Sequence, residues 1–127
     1  MQPINQPQLD AITAALSTLR IPAVFTEMML HQWIADALST AQIDAIHEAK
    51  LAPHRRIDFL AGRIGIEAKV GRPARAKMLA QAEKYLAQDQ LDALILVATS
   101  GVNLPGSLHG KPLIVFGLNR LWGVALP

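Results

Sequence analysis

Leu9, Ile12, Leu16 and Leu19 recur at helical spacing through residues 9–20, so the chain opens with a short amphipathic helix that Pro22 interrupts. Thr26 is positioned to cap a second helix, with Glu27 in its first turn, where the helix dipole favours an acid. Met29, Leu30, Trp33, Ile34, Ala37 and Leu38 carry an apolar stripe along it to about residue 40. The period then changes from helical to alternating. Residues 44–51 read as a first strand with Ala45, His47, Ala49 and Leu51 on one face. Residues 56–61 and 64–70 read as a hairpin joined by Gly62-Arg63, with glycine where a type II′ turn needs it. The first hairpin strand puts Asp58 opposite in parity to Ile57 and Phe59, which share a face, and the second sends Ile64, Ile66, Ala68 and Val70 to one side and Gly65, Glu67 and Lys69 to the other. Pro73 suits the first turn of a third helix, 74–88, whose apolar side is Met78, Leu79, Ala82, Tyr85 and Leu86. Ala93–Ala98 is apolar throughout, as strands buried on both faces are.

Residues 100–112 are rich in Gly, Pro and Ser and read as a loop, 112–117 as a further strand and 122–126 as a short one. The expected architecture is α/β: a mixed sheet with an antiparallel hairpin at one side, a right-handed βαβ unit over 64–98, and helices packed on it. Residues 1–127 form one domain in this reading, with the core at about 24–117. Trp33 and Trp122 are assigned to the core.

Composition narrows the function classes. Hydrophobic residues make up 51% of the 127, yet no run approaches the roughly 18–20 residues that span a bilayer. Met1–Pro7 lacks the basic start and apolar stretch of a secretory signal, and cysteine is absent, which removes disulfides and thiolate metal sites. A cytoplasmic setting, with no membrane partner, is the expectation. The net charge is only +2, but nine of the twelve basic residues lie between Lys50 and Lys84 with three acids among them. That window therefore carries +6 and the remainder −4, a distribution suited to a polyanion such as nucleic acid.

Within the basic window lie two carboxylates. A two-residue loop pairs 61 with 64, 60 with 65, 59 with 66 and 58 with 67, so Asp58 faces Glu67 across a non-hydrogen-bonded pair. Cβ atoms of such pairs are roughly 4.5–5.5 Å apart, and like charges there repel. A hard divalent cation between them is the economical resolution, since Mg²⁺ takes one or two carboxylates and keeps several waters. Lys69, two residues from Glu67, shares its strand face. Residues 100–112 lack a Gly-Lys-Ser/Thr ending, and no serine has a nucleophile-elbow context, so phosphate-loop and triad chemistry are unsupported.

The order of a helix with Glu27, a strand, a hairpin with Arg56-Ile-Asp-Phe59 and Gly65-Ile-Glu-Ala-Lys-Val70, a helix, then a buried strand resembles the PD-(D/E)XK nuclease superfamily, the restriction-endonuclease-like fold. The likeness covers roughly residues 24–100. Ile57 stands where the family name has proline, which many members lack. Gln81-Ala-Glu-Lys-Tyr85 is similar to the Gln-x-x-x-Tyr signature of members related to the RecB nuclease domain and to some Holliday-junction resolvases. The resemblance implies a DNA nuclease in which Asp58, Glu67 and the Ala68 carbonyl bind Mg²⁺ or Mn²⁺, Lys69 holds or deprotonates the attacking water, and Glu27 holds a metal-bound water or a second ion. Glu48, on the preceding strand, is the weaker candidate for that accessory acid.

The resemblance also implies contacts of Gln81 and Tyr85 with the DNA backbone or with the site. Arg72, Arg75, Lys77 and Lys84 flank the same helix and are assigned to phosphate contacts. Members of this size often act as homodimers, which sets the expectation here. An inert nuclease-fold module that binds DNA or assembles with a partner is the alternative. His31, His47, His54 and His109 show no metal-ligand spacing and are expected to be structural or at the surface, with His54 near substrate beside Arg55 and Arg56.

Overall fold

The computed structural model describes residues 5–52 and 55–118. The elements are α1 (Gln6–Leu16), α2 (Glu27–Thr40), β1 (Ile46–Ala52), β2 (Arg55–Ala61), β3 (Ile64–Lys69), α3 (Arg75–Leu86), β4 (Ala93–Ala98), β5 (Ser107–Leu108) and β6 (Lys111–Gly117). His54, Trp122 and the strand expected at 122–126 lie outside the described residues. The strands form a mixed sheet in the order β1-β2-β3-β4-β6-β5. β1, β2 and β3 are antiparallel neighbours, β3, β4 and β6 are parallel, and β5 returns antiparallel onto β6.

Helix boundaries follow local chemistry. α1 begins before the expected residue 9 because the Asn5 side chain accepts a hydrogen bond from Gln8 N at 3.1 Å and Pro7 occupies the first turn. α2 starts as expected: Thr26 Oγ1 accepts from Met29 N at 3.1 Å. It ends with Gln42 at φ 60° and Ile43 N donating to Leu38 O, a left-handed helix stop. α3 is shorter than expected at both ends, with Ala74 as its N-terminal cap just after Pro73 and Ala87 as its C-terminal cap. The 100–112 loop contains β5, returned by His109 and Gly110, both at positive φ as a type I′ turn requires.

The sheet separates two cores. Leu9, Ile12 and Leu16 of α1 and Leu30, Ile34 and Leu38 of α2 pack on Ile64, Ile66, Ala68, Ile95 and Val97. On the opposite face, Met78, Ala82, Tyr85 and Leu86 of α3 pack on Ile57, Leu94, Leu96 and Leu113. β4 alternates Ile95 and Val97 toward one core with Leu94 and Leu96 toward the other, which accounts for its continuous apolar run.

Two expectations about β1 and β2 are corrected. Residues 45, 47, 49 and 51 do not share a face. Ala45 packs in the α1/α2 core and His47 stacks on Phe59, whereas Ala49 and Leu51 lie in the α3 core. β2 changes face at the same level, with Phe59 in the first core and Ile57 in the second. The cause in β1 is Glu48, at φ 53° between the pairs His47↔Phe59 and Ala49↔Ile57. A left-handed residue breaks the alternation of side chains, and for an L residue it costs roughly 1–2 kcal/mol. Glu48→Gly is therefore expected to be more stable than Glu48→Ala by about 1 kcal/mol in urea denaturation, both having lost the same carboxylate. Equal midpoints for the two would remove strain at this position.

Candidate active site

The hairpin turn is as expected at its tip and departs from expectation at the carboxylates. Gly62 has φ 61° and Arg63 is not at positive φ, as a type II′ turn requires. The pairs Ala61↔Ile64, Leu60↔Gly65 and Phe59↔Ile66 form, and there the ladder stops. The expected 58–67 cross-strand pair is replaced by a side-chain exchange. Asp58 N donates to Glu67 Oε1 at 2.9 Å, and Ala68 N donates to Asp58 Oδ2 at 2.8 Å. In a continued ladder Ala68 N would meet the Ile57 carbonyl; the Asp58 carboxylate has taken its place, as β2 turns Ile57 into the other core. Each carboxylate thus satisfies a backbone donor that the ladder releases.

Glu67 is 7% exposed, and its Oε2 gathers three donors: Tyr85 OH at 3.2 Å, Gln81 Nε2 at 3.3 Å and Lys69 Nζ at 3.4 Å. The phenol has one hydrogen, which it shares between Glu67 Oε2 and Arg56 O, the latter at the shorter distance of 2.8 Å. Gln81 and Tyr85 are one helical turn apart, with Gln81 Nε2 3.4 Å from the phenol oxygen. Burial pushes the Glu67 carboxyl above the usual range and the negative charge of Asp58 adds to the rise; the Asp58 backbone N–H and Lys69 oppose it. Burial followed by the Glu67 charge raises the Tyr85 phenol well above its ordinary value, so Tyr85 is a hydrogen-bond donor and not a base.

The other flank of Asp58 is histidine. His31 Nε2 lies 3.4 Å from Asp58 Oδ2, and His31 Nδ1 lies 3.2 Å from His47 Nε2. The His47 ring is stacked on Phe59 at 4.7 Å. The sequence reading missed this contact because His31 and His47 are on different elements and share no ligand spacing. The available signal was helical: His31 is one turn beyond Glu27 on the same face of α2. Glu27 itself is exposed at the first position of α2 and makes no ion pair among the described residues. Glu48 is exposed at the strand reversal beside Asp58.

The basic residues divide. Arg55, Lys69, Lys77 and Lys84 line a cleft of about 470 Å³ with Gln81, adjoining Glu67. Arg72 is exposed and lines a second hollow of about 310 Å³ with Pro73, Ser100 and Gly101. Arg75 Nε donates to Asn103 O at 2.7 Å, anchoring the loop after β4. Arg63 is drawn to the other end of β3, where its side chain bonds Asp92 at 2.9 Å and the Asp89 carbonyl.

The donor set at Asp58 and Glu67 is oxygen-only. Lys69 O accepts from Thr99 N on the β4 side, so alternation turns the Ala68 carbonyl toward β2, the side on which Ala68 N reaches Asp58. Two carboxylates, one of them raised in pKa first by its burial and then by the other's charge, fit a hard divalent cation that retains waters. Among the described residues no group of three or more His, Asp or Glu side chains is arranged to hold a metal ion. No helix among the described residues is long and apolar enough to cross a membrane. No family model, curated protein or solved structure matches this chain.

Proposed function

We propose that this protein is a divalent-metal-dependent nuclease that hydrolyses DNA phosphodiester bonds on a restriction-endonuclease-like sheet. The observation that carries the reading is the buried Glu67, held beside Asp58 where the hairpin ladder opens and met there by Lys69, Gln81 and Tyr85. A carboxylate pair is costly to assemble and bury, and such arrangements cluster at functional sites.

Asp58, Glu67 and the Ala68 carbonyl would hold Mg²⁺ or Mn²⁺. When bound, the ion polarises a phosphoryl oxygen and lowers the pKa of its water. The remaining work belongs to the chain's own groups. Lys69 Nζ, 3.4 Å from Glu67 Oε2, orients the attacking water and adds positive charge where the phosphorane-like oxygens develop negative charge. Gln81 and Tyr85 fix the Glu67 carboxylate, and Tyr85 ties it to the β2 backbone at Arg56. Glu27 and Glu48 remain candidates for holding a further water. A homodimer would bring two such sites to two strands.

A second reading, a nuclease-fold binding module without catalysis, is favoured by one observation. Glu67 Oε2 is already surrounded by three donors, and a bound ion must displace at least part of that set. Cleavage of linear, single-stranded and four-way-junction DNA in Mg²⁺, Mn²⁺ or EDTA separates the two. Metal-dependent cutting that Lys69→Ala reduces by about 10²–10⁴-fold is expected for the nuclease. Binding with no cutting of any substrate would leave the inert module.

A further inference from the structure

Charge is distributed unequally about the Asp58–Glu67 pair. On the α3 side, Arg55, Lys77 and Lys84 converge on the cleft that has Lys69 and Gln81 beside it. None of Arg55, Lys77 or Lys84 makes an ion pair among the described residues, whereas Lys69 is paired with Glu67. Lys77, Gln81 and Lys84 follow at i, i+4 and i+7 on α3, so they present one continuous face. On the other side, α2 contains no lysine or arginine and exposes Glu27 and Asp36, and β1 with its approach exposes Asp44 and Glu48 against one cation, Lys50. His31 closes against Asp58 there.

Three unpaired cations in one cleft repel one another, and an anion with charges spaced along it relieves that repulsion. Among the described residues that line the cleft, none has an aromatic side chain on which a base stacks. Recognition there is confined to phosphates, which supply affinity and carry no base information.

We infer that a nucleic-acid strand is held on one side only of the Asp58–Glu67 pair, by a base-indifferent phosphate subsite made of Arg55, Lys77 and Lys84 over α3. This rests on the nuclease reading for what happens at the carboxylates, but not for the binding itself. Phosphates on the α3 side of the reacting bond are gripped; those beyond Asp58 meet a surface on which Glu27, Asp36, Asp44 and Glu48 outnumber Lys50.

The test is binding of a fluorescently labelled single-stranded DNA by the full chain in EDTA, followed by anisotropy across a salt series. Lys77→Gln and Lys84→Gln should each lower the slope of log affinity against log salt by about 1. Arg20→Gln, the same charge change on the α1/α2 side, should leave the slope unchanged, and unrelated DNA sequences should bind alike. Equal losses for all three variants would overturn the one-sided subsite, as would a strong preference for one sequence. Polyglutamate displacing the DNA at equal charge concentration would overturn the nucleic-acid assignment in favour of acidic peptides. Slope changes confined to Lys77 and Lys84 without metal-dependent cutting would uphold the subsite while removing the nuclease reading. Cutting by a protein whose binding ignores both lysines would do the reverse.

Discussion

Asp58→Asn is expected to lower metal-dependent cleavage by about 10²–10³-fold and, in EDTA at neutral pH, to make the protein more stable than the wild type. The substitution keeps an oxygen for the Ala68 N–H now bonded to Asp58 Oδ2 and removes one of two adjacent charges. What it relieves is the rise in the Glu67 pKa, caused first by burial and then by Asp58. A carboxyl whose folded pKa exceeds its unfolded value stabilises the fold when protonated. That contribution is fully present below the unfolded carboxylate pKa and is lost as pH rises through the raised folded value. Metal-free wild type should therefore lose stability on going from acidic toward neutral pH, and Asp58→Asn should lose less over the same interval. Mg²⁺ should restore stability to the wild type by mass action and do little for the variant. Thermal melts across pH, with and without Mg²⁺, check each part. A variant less stable than wild type at neutral pH in EDTA would mean that the carboxylate pair is not under electrostatic stress.

Gly65→Ala is expected to cost about 1–3 kcal/mol, read as a lower urea midpoint. Gly65 lies on the same face of β3 as Glu67, and a Cβ there would come within 2.4 Å of Ile57 Cδ1 and 2.7 Å of Leu91 Cδ2. Those atoms are side-chain ends, but Ile57 and Leu91 are 1% and 0% exposed, so neither has free space to enter. Ile57 also adjoins Asp58, and moving it strains the stretch where Asp58 N meets Glu67 and Arg56 O meets Tyr85. A conservative change two residues from Glu67 should therefore affect cleavage as well as stability. Unchanged midpoint and rate would show that Ile57 and Leu91 repack at no cost.

What was legible in the sequence was whatever a short stretch of chain determines by itself. Thr26 caps α2 through a bond three residues away, Gly62 sets the turn and with it the 61–64, 60–65 and 59–66 register, and β4 declares its double burial by lacking polar positions. Parity on β3 put Lys69 on the face of Glu67, and one-turn spacing put Gln81 and Tyr85 on one face of α3; that this face meets Glu67 was not derivable from spacing and was only one of two roles implied by the family resemblance. Failures came where alternation ceases. Strict period-two counting cannot see a left-handed glutamate, so it kept Ala49 with His47 and Ile57 with Phe59, and it carried the ladder one pair too far. His31 was missed because its partners come from β1 and β2, and no local rule relates a helix position to either.

The reversal at Glu48 has a consequence beyond the site. β1 is the outermost strand at its end of the sheet, and an outer strand offers unpaired backbone groups to any other chain. A flat seven-residue edge with Ile46 exposed would be a template for intermolecular β-pairing, the route by which sheets fuse or aggregate. The left-handed residue in its middle keeps the flanking donors and acceptors from lying in one straight row. Two copies of this chain therefore gain little by continuing a common sheet through β1, and self-association would rely on another surface.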